Sequence, residues 1–197
     1  MAKRIFDIVV SSIILLCFLP FGILIALMIL LESRGGIFYV QERIGLHGVP
    51  FGLFKFRTMR KNADREGKLT VGMKDSRITK VGYFLRRFKL DEFPQFLNVL
   101  LGDMSIVGPR PEVEEYVKLY TEEQRRVLDV RPGITDYASL EYFDENALLG
   151  KSDNPQRTYI EEIMPKKIAL NQRYIDRSGL REDVKLLFLT AKKMIGA

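Results

Sequence analysis

From Ile8 to Leu31 the chain runs 24 residues without a charged side chain, and only Ser11, Ser12, Pro20 and Gly22 depart from aliphatic or aromatic character apart from the single Cys17. As a helix rising about 1.5 Å per residue, this run is longer than the ~30 Å hydrocarbon core of a bilayer. It is also about twice the apolar length of a secretory signal, and no small-x-small cleavage site follows it. The segment is therefore read as a lasting membrane element, residues 1–33. Residues 34–197 are then enough for one further globular unit.

Two features bear on whether this element spans. Pro20 sits near its middle, where the ring removes one backbone hydrogen bond and crowds the carbonyl of Leu16. Cations flank both ends, Lys3 and Arg4 before and Arg34 and Arg43 after, so the positive-inside tendency pulls both ends toward the cytoplasm. A helix broken at Pro20 and returning to its own face satisfies both features. A kinked spanning helix satisfies the first, and on the residues alone both readings stay open.

One cysteine excludes a disulfide framework and a thiolate cluster, and one histidine, His47, excludes a His-rich metal site. His47 reads as a surface-loop residue. Charge is unevenly spread: residues 41–90 hold 13 Lys and Arg against 4 Asp and Glu, a net of +9, in a chain whose total is +6. Such a patch suits a solvated face, anionic lipid, a phosphorylated substrate or nucleic acid. Nucleic acid fits poorly with a membrane anchor and with aromatic residues that alternate into an apolar face.

Past a turn at Glu32-Ser-Arg-Gly-Gly, two strand-like pieces follow, Ile37-Phe-Tyr-Val and Phe51 to Met59. Alternation in the second puts Phe54 and Phe56 on one face and Lys55 and Arg57 on the other. Residues 61–76 read as a loop. Val81, Phe84, Leu85 and Phe88 recur at helical spacing among Lys80, Arg86, Arg87 and Lys89, a basic amphipathic helix suited to a membrane surface. Pro94 opens another helix that Gly102 closes. An acidic helical stretch over 112–128 and two helices, 159–176 and 180–195, complete the chain. Gly150-Lys-Ser152 is not a phosphate loop, since Glu145 stands where its first glycine belongs.

Adjacent carboxylates at Asp91 and Glu92 project about 100° apart on a helix, so they suit divided labour: one attacks a phosphorus while the other holds a metal ion. The same pair could equally do no more than offset a helix dipole. Around them in sequence lie several cations that can hold phosphate: Lys55, Arg57, Arg86, and Arg110 and Arg131, the last two stiffened by neighbouring prolines. Cations, a metal ligand and a nucleophile are the parts of phosphoryl transfer.

At these residues the chain resembles the bacterial sugar transferase family, the monotopic polyprenyl-phosphate phosphoglycosyl transferases. The resemblance is carried by Lys3-Arg-Ile-Phe-Asp7, Phe38-Tyr-Val-Gln-Glu-Arg-Ile-Gly45, Phe54-Lys-Phe-Arg-Thr-Met59, Asp75-Ser-Arg-Ile-Thr79, Leu90-Asp-Glu-Phe-Pro-Gln95, Asn98-Val-Leu, Gly102 to Pro111 and Arg131-Pro-Gly-Ile-Thr135, in family order. It implies an α+β fold with a re-entrant membrane helix over 1–33 broken at Pro20, interfacial amphipathic helices and a small sheet component. The catalytic domain, 34–197, would lie on the cytoplasmic face of the bacterial inner membrane. It further implies transfer of a sugar 1-phosphate from a UDP-sugar to undecaprenyl phosphate with Mg2+ and an aspartyl-phosphosugar intermediate. Asp91 matches the nucleophile and Glu92 its acidic partner, both candidate metal ligands. Lys55, Arg57, Arg86 and Arg110 fall on active-site motif positions, and Arg131 is a further phosphate candidate. Flanked by Arg86, Lys89 and a divalent ion, Asp91 is expected to stay ionised at neutral pH.

The chain departs from the family pattern at three places. Leu19 stands before Pro20 where serine is frequent, Asp136-Tyr-Ala-Ser139 replaces a common Gly-Leu-Ala-Gln, and Phe143 replaces a frequent arginine. With no long extension before Met1, the chain reads as the minimal catalytic form. The competing function is a membrane-tethered basic adaptor for acidic lipid or a partner protein, which needs no Asp91. Sugar identity and oligomeric state are not specified by these residues.

Overall fold

A computed structural model of the chain describes residues 1–61, 63 and 75–195. The expected loop over 61–76 lies, apart from Lys61, Ala63, Asp75 and Ser76, outside the described residues. Helix α1 spans Ala2–Glu32 and continues through Pro20, so the expected break at that residue is not an interruption of the helix. Losing one hydrogen bond bends a helix more readily than it ends one.

A single stripe of α1 meets the rest of the protein from end to end. Arg4 donates to the carbonyls of Val99 and Leu100, and the buried Asp7 accepts from Ser105 Oγ and the Ile106 N–H, both at 3.1 Å. Phe18 stacks on Phe93 with ring centroids 3.8 Å apart, and Ile25 and Ile29 pack with Phe56 and Leu85. Finally, Glu32 accepts from the N–H groups of Lys80 and Val81. The opposite face carries exposed apolar side chains with no protein over them, among them Leu16, Leu19, Phe21 and Leu31. Length and composition allow α1 to cross a membrane, and its uncovered stripe fits lipid.

Strands β1, Phe38–Ile44, and β2, Pro50–Phe56, form an antiparallel hairpin with Tyr39 opposite Lys55. The connecting turn, Leu46–Gly48, carries the exposed His47 at φ 56°, as a surface-loop residue. Helix α2, Lys80–Arg87, is capped by Thr79 Oγ1, which accepts from the Gly82 N–H. It lies so close to the preceding chain that a Cβ on Gly82 would sit 2.0 Å from the Thr58 carbonyl oxygen. A short 3-10 turn, Leu90–Glu92, leads through Pro94 to α3, Gln95–Leu101, which Gly102 ends in the left-handed region, as its sequence signals require.

A second small sheet pairs β3, Ser105–Val107, with β4, Gly133–Thr135, in parallel. A Cβ on Gly133 would lie 2.1 Å from the Gly108 nitrogen, so only glycine lets these backbones meet. The acidic stretch is not one helix. It holds α4, Glu114–Val117, and a separate 3-10 segment, Gln124–Asp129. Thr121 and Gln124 exchange side-chain to backbone hydrogen bonds there, a capping box that starts a new element. Helices α5, Tyr137–Glu141, α6, Glu145–Leu149, and α7, Pro155–Thr158, precede a π-turn, Tyr159–Ile163, and then come the longer α8, Met164–Asp176, and α9, Leu180–Ile195. The result is α+β, as expected, with Tyr174 of α8 and Leu186 of α9 closing the core over Val99 and Ile106.

Candidate active site

Asp91 stands at a corner. After α2, Lys89 takes a left-handed conformation at φ 56°, which non-glycine residues seldom adopt, and its Nζ reaches the Phe143 carbonyl at 3.4 Å. Chain reversal there turns the Leu90–Glu92 segment inward and leaves Asp91 9% exposed. Among the described residues nothing donates a hydrogen bond to its carboxylate.

Glu92, beside it, is held by both terminal nitrogens of Arg110, one of them at 3.1 Å, as a planar fork on a carboxylate. Arg110 is itself fixed from behind: its N–H donates to Asp136 Oδ2 at 3.0 Å, and the fully buried Asp136 also caps α5 through the Ser139 N–H. The aspartate at this departure from the family pattern thus has a definite task, holding the Pro109-Arg-Pro111 loop.

Lys55 arrives from β2. Asn98 of α3 accepts from the Phe54 N–H at 2.9 Å and donates to the Gly52 carbonyl at 2.7 Å, fastening the strand so that Lys55 meets the carboxylates. Arg86, on the last turn of α2, is steadied by a 2.9 Å bond from Nε to Thr58 Oγ1. Lys55, Arg86, Arg110 and the Asp91-Glu92 pair are therefore brought together.

Arg57 and Arg131 are not. Strand β2 ends at Phe56, so the alternation that would place Arg57 beside Lys55 does not continue. Arg57 instead donates to the Arg34 carbonyl at 2.7 Å and the Ser33 carbonyl at 2.8 Å, at the end of α1. Arg131 donates from Nε to the Gly102 carbonyl at 2.9 Å, at the end of α3. Each serves a helix C-terminus, where free carbonyls favour a cation. The residues that position the site without having been singled out as its members are Thr58, Asn98 and Asp136. The first two lay within quoted motifs, while Asp136 was visible only as a departure.

Electrostatically the two carboxyls are pushed apart. Burial would raise Glu92, but Arg110 and Lys55 outweigh it and bring its pKa down to about 2. Burial raises Asp91 above the ordinary aspartate value, and ionised Glu92 adds to the rise, while Lys55, Arg86 and Lys89 pull the other way. The flanking cations thus do not dominate as the sequence implies, because burial outweighs them. Burial likewise lowers Lys55 to about 8 against the attraction of Glu92.

Among the described residues no group of three or more His, Cys, Asp or Glu side chains could hold a metal ion. A magnesium ion is commonly held by one or two carboxylates together with substrate phosphates and water. The unpartnered Asp91 carboxylate beside Glu92 offers that hard-oxygen donor set.

The profile of a protein family described as bacterial sugar transferase matches residues 1–197, the whole chain. This chain belongs to that family. It is 39% identical over 194 residues to the sugar transferase EpsL of Bacillus subtilis, covering 98% of this chain and 87% of that protein. To the UDP-glucose:undecaprenyl-phosphate glucose-1-phosphate transferase of Escherichia coli it is 37% identical over 198 residues, 97% of this chain but 39% of that protein. With the exopolysaccharide production protein ExoY of Rhizobium meliloti it shares 34% identity, across 96% of this chain and 84% of that protein. In this family member the candidate site is an aspartate-glutamate pair with Lys55, Arg86 and Arg110 close enough to act on its charges.

Proposed function

We propose that this chain transfers a sugar 1-phosphate from a UDP-sugar to undecaprenyl phosphate in two steps, opening the assembly of a membrane-borne glycoconjugate. The observation that carries the reading is Asp91: a buried carboxylate with no hydrogen-bond donor among the described residues, ringed by Lys55, Arg86 and Lys89, whose neighbour Glu92 is already committed to Arg110. An oxygen left free of donors keeps its lone pairs for attack. The substrates in the E. coli relative's name, UDP-glucose and undecaprenyl phosphate, support the same chemistry.

In the first step an Asp91 oxygen attacks the phosphorus that bears the sugar. The bond from that phosphorus to the bridging oxygen breaks, and UMP leaves with the electron pair, giving an aspartyl phosphosugar. In the second step an oxygen of the lipid phosphate attacks the same phosphorus, the bond to Asp91 breaks, and the carboxylate is restored. Lys55 and Arg86 offset the negative charge brought by the diphosphate. Arg110 orients Glu92 and holds the Pro109-Arg-Pro111 loop in place. Magnesium, held through Asp91 and Glu92, would supply further charge neutralisation on the phosphate oxygens.

The site belongs on the cytoplasmic face of the inner membrane, where UDP-sugars are made. Both ends of α1 contact the one domain, which supports a membrane helix that enters and returns. The adaptor reading gives no reason to bury an unpartnered aspartate.

The test is intact-protein mass after incubation with a UDP-sugar and no lipid acceptor. A sugar-phosphate adduct on Asp91, absent from Asp91→Asn, is expected, together with ping-pong kinetics. Substantial turnover by Asp91→Asn, or kinetics that require a ternary complex, would defeat it.

A further inference from the structure

Lys89 lies beside the nucleophile, yet neither step of the transfer uses it directly. It holds a left-handed backbone at φ 56°, a conformation that a non-glycine residue keeps only where its surroundings enforce it. Its ammonium stands over the Phe143 ring, 5.2 Å from the centroid, and donates to the Phe143 carbonyl. From α9, Lys193 reaches the same ring at 5.9 Å. Two ammonium groups from distant parts of the chain therefore converge on one half-buried ring.

Bringing like charges together costs energy unless an anion lies between them. Among the described residues no carboxylate forms an ion pair with either lysine, and Glu145, close to Phe143 in sequence, is taken by Lys167. An ammonium carries three N–H donors, and the Phe143 carbonyl engages one of those on Lys89, so both lysines keep donors for a phosphate oxygen.

The surroundings say which phosphate. On one side is the nucleophile: the Lys89 carbonyl accepts from the Glu92 N–H, and the Lys89 charge acts on both Asp91 and Glu92. On the other side the surface is apolar. Phe88, the residue before Lys89, pairs with Phe84 at a centroid distance of 4.8 Å, and each ring is about half exposed. A polyprenyl phosphate brings an anionic head and a hydrocarbon chain that covers such a surface, whereas a nucleoside diphosphate brings no hydrocarbon.

We infer that Lys89 and Lys193, gathered on the Phe143 ring, bind the phosphate of the lipid acceptor, whose chain leaves over Phe84 and Phe88. The inference rests on the transferase reading. It gives the second step cations of its own, apart from Lys55 and Arg86, which meet the donor.

Ping-pong kinetics separate the two steps, because kcat/KM for each substrate then reports its own half-reaction. The experiment uses the full chain in neutral detergent with a panel of UDP-sugars. A UMP burst without acceptor reads the first step, and kcat/KM for undecaprenyl phosphate reads the second. Lys193→Gln should lower kcat/KM for undecaprenyl phosphate about tenfold, the effect of one lost charge-assisted contact, with the burst and kcat/KM for the UDP-sugar kept. Lys193→Arg keeps the charge and should lose less. Lys192→Gln makes the same charge change one residue away and should alter neither constant. An equal loss in Lys192→Gln would reduce the effect to general surface charge and overturn the inference. A slower burst in Lys193→Gln would assign the lysines to the donor and overturn it too. Unaltered acceptor kinetics in Lys193→Gln, or a difference that appears only when phosphatidylglycerol is added, would do the same, the latter assigning the site to a phospholipid headgroup. Absence of a burst from the unaltered protein with every donor would sink the transferase reading, and this inference with it.

Discussion

At the scale of single residues, the candidate site treats like groups unequally. Asp91 and Glu92 are adjacent, yet Arg110 commits Glu92 to the ionised state while burial raises Asp91. Lys55 shares the burial, and its pKa falls to about 8. A lowered lysine is charged below that value and neutral above it, so its grip on phosphate should fade as pH rises through 8. The linked stability has the opposite sense: between about 8 and the unbound value of 10.5 the unfolded chain binds more protons, so folding gains with rising pH. The expected kcat/KM profile has an alkaline limb near pH 8. Lys55→Arg, which stays protonated throughout, should move that limb upward even if the absolute rate drops. A limb unchanged in Lys55→Arg would show that another group titrates. That the carboxylate pair, Lys55, Arg86 and Arg110 come together was legible in sequence because motif and chemistry agreed on them. The placement of Arg57 and Arg131 at helix ends was not legible, because cations beside turns serve helix ends as readily as phosphate, and which ends lie beside them is decided only in three dimensions.

Among the elements, those with punctuation in the sequence were legible. Pro94 and Gly102 bracket α3. The parallel pair β3 and β4 was not legible, since three-residue strands lack a period and their pairing depends on the close approach of Gly108 and Gly133. Nor could sequence show that α1 caps α2. Glu32, the last residue of α1, accepts from the first two N–H groups of α2 at 2.7 and 2.9 Å, and α2 carries Arg86. Removing a helix-capping acceptor costs about 1 kcal/mol. Glu32→Ala should therefore lower Tm in detergent by about 2–4 °C and reduce turnover through Arg86, whereas Glu32→Gln keeps an acceptor and should lose less. Equal behaviour of the two variants, or an unaltered Tm in both, would show that the cap contributes nothing.

For the whole molecule, the question is how a helix long enough to span can belong to a protein whose contacts all lie with one domain. If α1 crossed straight through, one of its ends would leave that domain. Detaching the first turns would strip Lys3 from Asp183, whose side chain is fully buried, and would leave Asp7 without Ser105 and the Ile106 N–H. A buried charge deprived of its partner costs about 3–5 kcal/mol. Detaching the last turns would uncover Ile25 and Ile29 and remove the cap on α2. The net charge of +9 over residues 41–90, together with Phe84 exposed on α2 and Phe88 exposed just after it, favours keeping the domain against anionic lipid on the side where both ends then lie. The expected topology has positions 2 and 34 on the same side. It is read by replacing Cys17 with serine, placing single cysteines at those positions, and labelling inverted inner-membrane vesicles with an impermeant maleimide. Both sites should react without permeabilisation. Pro20→Leu restores the backbone bond that proline cannot make and should move part of the population to a spanning form in which one site is protected. Protection of one site in the Pro20 protein would sink the re-entrant arrangement, because the polar contacts at Lys3 and Asp7 and the cap at Glu32 could not then form in the same molecule.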